Sequence, residues 1–269
     1  MMEQNQLIER IVAEVVARMG SSAGEKQAGG PGVQPGASSA AAVPALAPAD
    51  IARYIDHTML RPEASTAAFD KLCQEAVQYR FFSVCVNSCR VAYVARKLQG
   101  TGVKVCSVVG FPLGSMTSRS KAFETREAIE DGASEIDMVI NIGLLKSGDY
   151  HGVEEDIRSV RRSTRGNTLL KVIIETVLLT QDEKVLACEL SKKAGADFVK
   201  TSTGFLGGGA SVEDLSLMRR VVGRDMGVKA SGGVRTYKTA LSFLGAGANR
   251  LGCVSSVAIV TGAEGAGSY

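Results

Sequence analysis

The chain has 269 residues, 45% of them hydrophobic, and a formal net charge of +3, so it can bury one large core and its size permits a single α/β barrel. So small and interspersed a charge gives no case for nucleic acid, and no apolar run approaches the roughly 18 residues that would span a membrane. Six cysteines without a CxxC pair, and only two histidines, His57 and His151, argue against a dedicated zinc site. Several cysteines fall in expected core strands and read as small buried hydrophobes of a reducing compartment, which makes the cytoplasm the expected location.

Residues 3–19 carry Leu7, Ile8, Ile11, Val12, Val15, Val16 and Met19 at helical spacing, with Glu3, Glu9, Arg10, Glu14 and Arg18 opposite. The acidic residues argue against a transit peptide, and there is no basic start followed by an unbroken apolar run, so this is not a signal peptide. From 20 to 48 the chain turns to Gly, Ala, Ser and Pro, a composition expected to form a flexible linker reaching about 30 Å root-mean-square. A short amphipathic helix on a tether ahead of a complete domain resembles the encapsulation peptides of bacterial microcompartment cargo enzymes. That resemblance implies a shell-protein partner and a place inside a microcompartment; a helix packed on its own domain, or a self-association coil, is the alternative.

From Ile51 strand and helix patterns alternate. Strands are expected at 52–56, 82–87, 103–109, 135–141, 169–176, 197–201, 227–231 and 249–253, and helices at 65–79, 89–99, 115–131, 152–165, 181–194, 211–222 and 237–244. Near-continuous apolar strands alternating with helices imply a parallel sheet buried on both faces. That many units over this length favour a closed (β/α)8 TIM barrel, an α/β fold, over an open sheet. No Gly-x-Gly-x-x-Gly follows the first strand, which weakens the dinucleotide-binding alternative.

A barrel puts the C-terminal strand ends at the active-site mouth, and that rule sorts the lysines. Lys104 and Lys171 begin their strands and read as structural. Lys200 and Lys229 sit near the ends of strands six and seven, each before a glycine-containing turn. Either they snorkel to solvent, or one amine tunes the other and supports Schiff-base chemistry on a carbonyl; adjacent strands favour the pair. Asp137, inside the mostly apolar strand 135–141, needs a cationic or hydrogen-bonded partner and is the candidate proton carrier beside them. Asp56, His57 and Thr58 end the first strand; His57 alone reads as packing or a bond to backbone. Gly204, Gly232, Gly233 and Gly252 follow the last strands, where barrels commonly hold phosphate on backbone N–H groups, and Arg235 is placed to add a charge-assisted bond.

The segments Ile55-Asp56-His57-Thr58, Val84-Cys85-Val86-Asn87, 108–114, 135–143, 171–176, 198–205 and 228–235 together resemble deoxyribose-phosphate aldolase, in order, across the whole barrel. The resemblance implies a class I aldolase without metal or other cofactor, reversibly joining acetaldehyde and glyceraldehyde 3-phosphate into 2-deoxyribose 5-phosphate. By the same resemblance Lys200 is the Schiff-base nucleophile, Lys229 the second lysine that tunes it, and Asp137 the proton donor and acceptor. Asp56, Thr58, Cys85, Thr201, Val234 and Arg235 fall at substrate positions, and Gly204, Gly232, Gly233, Gly252 and Ser255 at the phosphate loops. Tyr269, ending a mobile tail over 261–269, resembles a terminal tyrosine that assists enamine protonation, and the family analogy also implies a homo-oligomer, expected as a dimer.

One residue departs from the pattern. Val254 stands where the family usually has the first of two serines, removing a hydroxyl donor to phosphate, at a cost on the order of 1.5–3 kcal/mol for a charge-assisted bond. The alternatives are therefore a lysine aldolase with another or an unphosphorylated aldehyde acceptor, and a microcompartment cargo or scaffold protein with a degenerate barrel.

Overall fold

The structure is a computed structural model and describes residues 46–263. The expected helix at 3–19, most of the linker at 20–48, and Tyr269 lie outside the described residues. Eight parallel strands close into one barrel in sequence order: β1 (Ile55–Met59), β2 (Ser83–Val86), β3 (Lys104–Val109), β4 (Glu135–Val139), β5 (Leu169–Ile173), β6 (Phe198–Lys200), β7 (Gly227–Ser231) and β8 (Arg250–Cys253). Around them lie α1 (Thr66–Gln78), α2 (Val91–Leu98), α3 (Ser118–Glu130), α4 (Ile142–Lys146), α5 (Tyr150–Ser163), α6 (Gln181–Lys193), α7 (Val212–Val222), α8 (Tyr237–Gly245) and α9 (Ser256–Thr261). None of the described helices is long and apolar enough to cross a membrane.

The first strand lies three residues later than the pattern suggests, because a 3-10 turn occupies Pro48–Tyr54. Pro48 opens that turn with a pre-set φ and no N–H to lose. Leu46, just ahead of the turn, packs on the core and its carbonyl accepts a 2.5 Å hydrogen bond from the Tyr237 hydroxyl. Other helix starts follow their caps. Thr117, Asp149, Ser211 and Thr236 each accept a backbone N–H three residues on, and Thr180 with Glu183 forms a reciprocal capping box. The short helices α4 and α9 had no sequence signal long enough to show periodicity.

Strand alternation divides the molecule into two interiors. The outward residues, among them Ile55, Val84, Val86, Ile136, Met138, Leu170, Val172, Val199, Val228 and Leu251, are buried against the helices and form the main apolar core. The inward residues are charged or polar to an unusual degree. Asp56, Ser83, Glu135, Asp137, Lys171, Lys200, Lys229 and Arg250 are all buried. Near the β4 end, the buried Lys121 Nζ of α3 donates to Val139 O (2.8 Å) and to Asp156 Oδ2 of α5 (2.6 Å), tying two helices to the strand.

Candidate active site

Strand register brings the charges together. Asp137 of β4 pairs with Lys171 of β5, Ile173 of β5 with Lys200 of β6, and Lys200 with Lys229 of β7. In-register neighbours on parallel strands point to the same face, so all four charged side chains enter the barrel. Asp137 Oδ2 accepts from Lys200 Nζ at 2.8 Å and from Lys229 Nζ at 2.7 Å. Its other oxygen accepts from Lys171 Nζ at 2.8 Å and from the Cys106 thiol at 3.1 Å.

A second carboxylate layer lies beneath. Asp56 Oδ2 accepts from Lys229 Nζ at 2.5 Å, and Asp56 Oδ1 accepts from Ser83 Oγ (2.6 Å) and Arg250 Nη1 (2.9 Å). Glu135 takes Lys171 Nζ at 2.5 Å and Arg250 Nη1 at 3.0 Å. The Arg250 guanidinium lies 3.6 Å from the centroid of the Phe82 ring, a cation–π contact that closes the layer from below. The centre thus holds three carboxylates (Asp56, Glu135, Asp137) and four cations (Lys171, Lys200, Lys229, Arg250).

Burial by itself would raise both aspartates, but the cations outweigh it. Lys171, Lys200 and Lys229 hold Asp137 well below the usual carboxylate range, and Lys229, Arg250 and Lys171 do the same for Asp56. Conversely, burial would lower Lys229, yet Asp137 and Asp56 push it well above an ordinary lysine. Lys229 is therefore held as an ammonium, and it meets Lys200 at the oxygen they share. Lys200 differs in position: it ends its strand, contacts a single carboxylate oxygen, and keeps 3% exposure towards the mouth where Lys229 and Lys171 have none.

The mouth is walled on one side by Leu60, Cys85, Cys106 and Val108, with Phe111 and Phe205 packed on them edge to face at 5.1 Å. On the other side the loops after β6 and β7 meet backbone to backbone. Gly232 has φ of 82°, and a Cβ there would come within 2.7 Å of Gly209 Cα and 3.7 Å of Gly204 Cα. Ala210 N–H donates to the carbonyls of Ser231 (3.1 Å) and Gly232 (3.0 Å), closing the seam. At Gly252 a Cβ would strike Ser231 Oγ at 2.2 Å and Lys229 Cε at 3.2 Å, so the β8 glycine makes the room that Lys229 occupies.

Several expected residues take other parts. Lys171, placed by its strand position with the structural lysines, is in direct contact with Asp137, because β4 and β5 pair in register with the two residues opposite each other. Asp56, expected at a substrate position, has no exposure and serves the charge layer below the site. Thr58 Oγ1 donates to Asp56 O at 2.8 Å. Thr201 Oγ1 donates to Ser231 O and accepts from Ser231 N–H, both at 3.0 Å, so it clamps β6 to β7. His57 points outward and is bonded to side chains instead of backbone, with Nδ1 at 2.8 Å from Ser256 Oγ and Nε2 at 2.9 Å from Glu75 Oε2. Gly233 and Arg235 are exposed on the β7 loop, Val234 is buried, and Ser255 lies in the β8–α9 turn. Val254, Ser255, Thr58 and His57 line a cavity of about 260 Å³ between that turn and α1.

Glu135, Arg250, Cys106 and Glu175 were missed. The first three begin strands or look like ordinary core residues, and only register shows what they meet. Glu175 follows β5 with φ of 56°, a left-handed conformation that costs a non-glycine residue about 1–3 kcal/mol. Its Oε2 accepts from Thr203 N–H (3.0 Å) and Thr203 Oγ1 (2.5 Å), anchoring the β6 loop, while Oε1 is buried without a hydrogen-bond partner. Cys85, Cys106 and Asp137 are the described group whose donor atoms cluster within 4.8 Å, as metal ligands do, but the ammonium groups around Asp137 oppose a cation there.

A family model described as DeoC/LacD family aldolase matches residues 51–262. The chain is 58% identical to a deoxyribose-phosphate aldolase of Streptococcus equi subsp. zooepidemicus over 220 residues, covering 82% of this chain and 100% of that protein. It is also 58% identical to one from Clostridium tetani over 211 residues, covering 78% and 98%. Among solved structures, the tetrameric deoxyribose phosphate aldolase of Aeropyrum pernix superposes with TM-score 0.75 at 33% identity, covering 80% of this chain and 91% of that one. A protein described as QR15, an aldolase, superposes with TM-score 0.76 at 38% identity, covering 79% and 95%. With a closed barrel, a lysine at the mouth end of β6 and near-complete coverage of these relatives, the chain belongs to the DeoC/LacD family of aldolases.

Proposed function

We propose that the chain is a deoxyribose-phosphate aldolase, cleaving 2-deoxy-D-ribose 5-phosphate reversibly to acetaldehyde and D-glyceraldehyde 3-phosphate through a Schiff base on Lys200. The observation that carries this reading is the single oxygen, Asp137 Oδ2, that accepts from both Lys200 and Lys229. Loss of one proton from Lys200 brings the buried centre from four cations to three, facing three carboxylates. The free amine then adds to C1 of the open-chain sugar, and Asp137 relays a proton to the carbinolamine hydroxyl, which leaves as water. The iminium draws the electrons of the C2–C3 bond. C3 becomes the aldehyde of glyceraldehyde 3-phosphate as its hydroxyl loses a proton, and C2 becomes an enamine carbon. Protonation at C2, assigned by resemblance to Tyr269, and hydrolysis release acetaldehyde. Lys229 and Lys171 stay charged throughout and fix Asp137 between them, which is electrostatic preorganisation in place of solvent.

The phosphate is assigned to the backbone of the glycine loops at Gly204, Gly232, Gly233 and Gly252, with Ser255 and Arg235 nearby. Val254 motivates a second reading, an enzyme of the same chemistry with an unphosphorylated acceptor. Turnover of 2-deoxyribose 5-phosphate against 2-deoxyribose, with Lys200→Ala alongside, separates them. Strong preference for the ester, lost in the variant, supports the first reading; equal rates support the second; no turnover and no borohydride-trapped acetaldehyde adduct on Lys200 overturn both.

The chain is further assigned three parts beside the barrel domain at 49–260: a docking helix at 3–19, a linker at 20–48 and a tail at 261–269. What supports the docking helix is its amphipathic pattern and its separation from the barrel by a Gly, Ala, Ser and Pro segment. Its partner is taken to be a microcompartment shell protein, and the barrel a cytoplasmic or encapsulated homodimer. Removal of residues 1–45 should leave turnover intact and abolish co-sedimentation with shells; unchanged co-sedimentation would refute the assignment.

A further inference from the structure

Two thiols at the mouth have no part in the Schiff-base steps. Cys85 of β2 and Cys106 of β3 are paired in register on adjacent parallel strands, and neighbouring strands lie about 4.8 Å apart. Both side chains face the barrel interior, and their sulfurs lie within 4.8 Å of each other and of an Asp137 oxygen. Strand spacing of that size falls inside the Cα separation, about 4.4–6.8 Å, that a disulfide spans. The two sulfurs can therefore meet by side-chain rotation without moving either strand.

We propose that Cys85 and Cys106 form a reversible disulfide when the enzyme meets a hydroperoxide, and that the bond switches off the lysine centre. The two thiols divide the work. Contact with the Cys106 thiol, opposed by burial and reinforced by Lys229 and Lys200, lowers Cys85 below an ordinary cysteine, whereas burial keeps Cys106 well above one. Cys85, the more acidic of the two and the one on the wall beside Leu60, is thus assigned the attack. Its sulfur takes the distal oxygen of the hydroperoxide, the O–O bond breaks, and after protonation an alcohol (water, for hydrogen peroxide) leaves a sulfenic acid. Cys106 sulfur then attacks the Cys85 sulfur, the S–O bond breaks, and hydroxide leaves with the Cys106 proton as water. Cys106 already donates to Asp137 Oδ1 at 3.1 Å, so a carboxylate stands ready to take that proton. Two thiols are oxidised to one disulfide and one hydroperoxide is reduced.

The same hydrogen bond explains the loss of activity. Once bonded to Cys85, Cys106 no longer donates to Asp137, and its contact with Lys171 Nζ at 3.5 Å is disturbed. Cys85 is also drawn from the pocket wall beside Leu60. Activity loss rests on the proposed aldolase reading, but the bond itself does not.

The test treats the full-length protein with hydrogen peroxide, quenches with a thiol-blocking alkylator, and maps disulfide-linked peptides by mass. The expected result is a protein lighter by two hydrogens, with Cys85 linked to Cys106, and turnover falling in step with the link and restored by dithiothreitol. If the barrel has no turnover at all, borohydride trapping of acetaldehyde on Lys200 reads the switch instead. In Cys106→Ser, checked for folding by its melting curve, Cys85 should oxidise to sulfinic acid and the loss should resist dithiothreitol. A link through the exposed Cys89, irreversible oxidation of Cys85 in the parent protein, or a Cys85–Cys106 link without loss of turnover or trapping would each overturn the proposal.

Discussion

Lys171 Nζ and Asp137 Oδ1 lie 2.8 Å apart with neither residue exposed, and this pair holds the Asp137 carboxylate by the oxygen that Lys200 does not touch. Lys171 also reaches Glu135 at 2.5 Å, so one ammonium serves two carboxylates. Burial works against its charge, but Asp137, Cys106 and Glu135 raise it well above an ordinary lysine. Lys171→Met should leave both carboxylates short of a counter-charge. Removing one member of a buried pair costs about 3–5 kcal/mol, so the urea midpoint should fall with an unchanged slope. An unchanged midpoint would show that the pair contributes no net stability.

The charge layers also set the stability against pH. Asp56 and Asp137 have lowered values, so their contribution is complete above the ordinary carboxylate value of 3.8 and is lost as pH falls below it towards the folded-state values. Lys229 is raised, so its contribution is complete below its ordinary value of 10.5 and is lost as pH rises through the higher folded-state value. The network should therefore add no slope to the melting temperature across the neutral range, with a decline setting in below about pH 4. Asp56→Asn, which removes one of these carboxylates, should be less stable at neutral pH and show a shallower acid decline. An equally steep acid decline in Asp56→Asn would assign acid lability to other groups.

How far the residues alone reach is shown by Lys200 and Lys171. The barrel was legible because its strands and helices have strong apolar patterns and their ends carry caps and glycines. Lys200 was legible because it stands where an apolar strand dissolves into Thr201, Ser202, Thr203 and Gly204. Lys171 was not, since its place near the start of a strand gives its depth only relative to its own strand, and what lies opposite it on β4 shows only once the strands are paired. Glu135 and Arg250 were hidden for the same reason, 115 residues apart in sequence and joined only by closure of the barrel. His57 does pack, on the Phe81 ring at 4.9 Å, but its bonds to Ser256 and Glu75 were hidden because Ser256 begins a helix too short to announce itself.

Glu175 offers a separate test of how the β6 loop is held. Its carboxylate accepts two hydrogen bonds from Thr203, and its backbone is left-handed. Glu175→Gln keeps one acceptor for Thr203 N–H, while Glu175→Ala keeps none. Each lost bond to a charged acceptor is worth about 1.5–3 kcal/mol. The alanine variant should thus melt lower than the glutamine variant and raise KM for the phosphate ester more than it lowers kcat. Equal KM in both variants would mean that the loop holds its shape without Glu175.

Val254 lies in the turn after β8, beside Ser255 and between the cavity at Thr58 and the start of α9. A serine there would restore one hydroxyl to a turn that already carries the Ser255 hydroxyl and backbone N–H groups. If phosphate is held at the glycine loops, Val254→Ser should lower KM for 2-deoxyribose 5-phosphate. One added charge-assisted bond, about 1.5 kcal/mol after its costs, corresponds to roughly tenfold. KM for unphosphorylated 2-deoxyribose should not move, because it has no anion to receive the bond. The ratio of the two KM changes is the informative number, since a general loosening of the turn would shift both. Equal shifts would place the phosphate elsewhere at the mouth, with the exposed Arg235 as the next residue to replace.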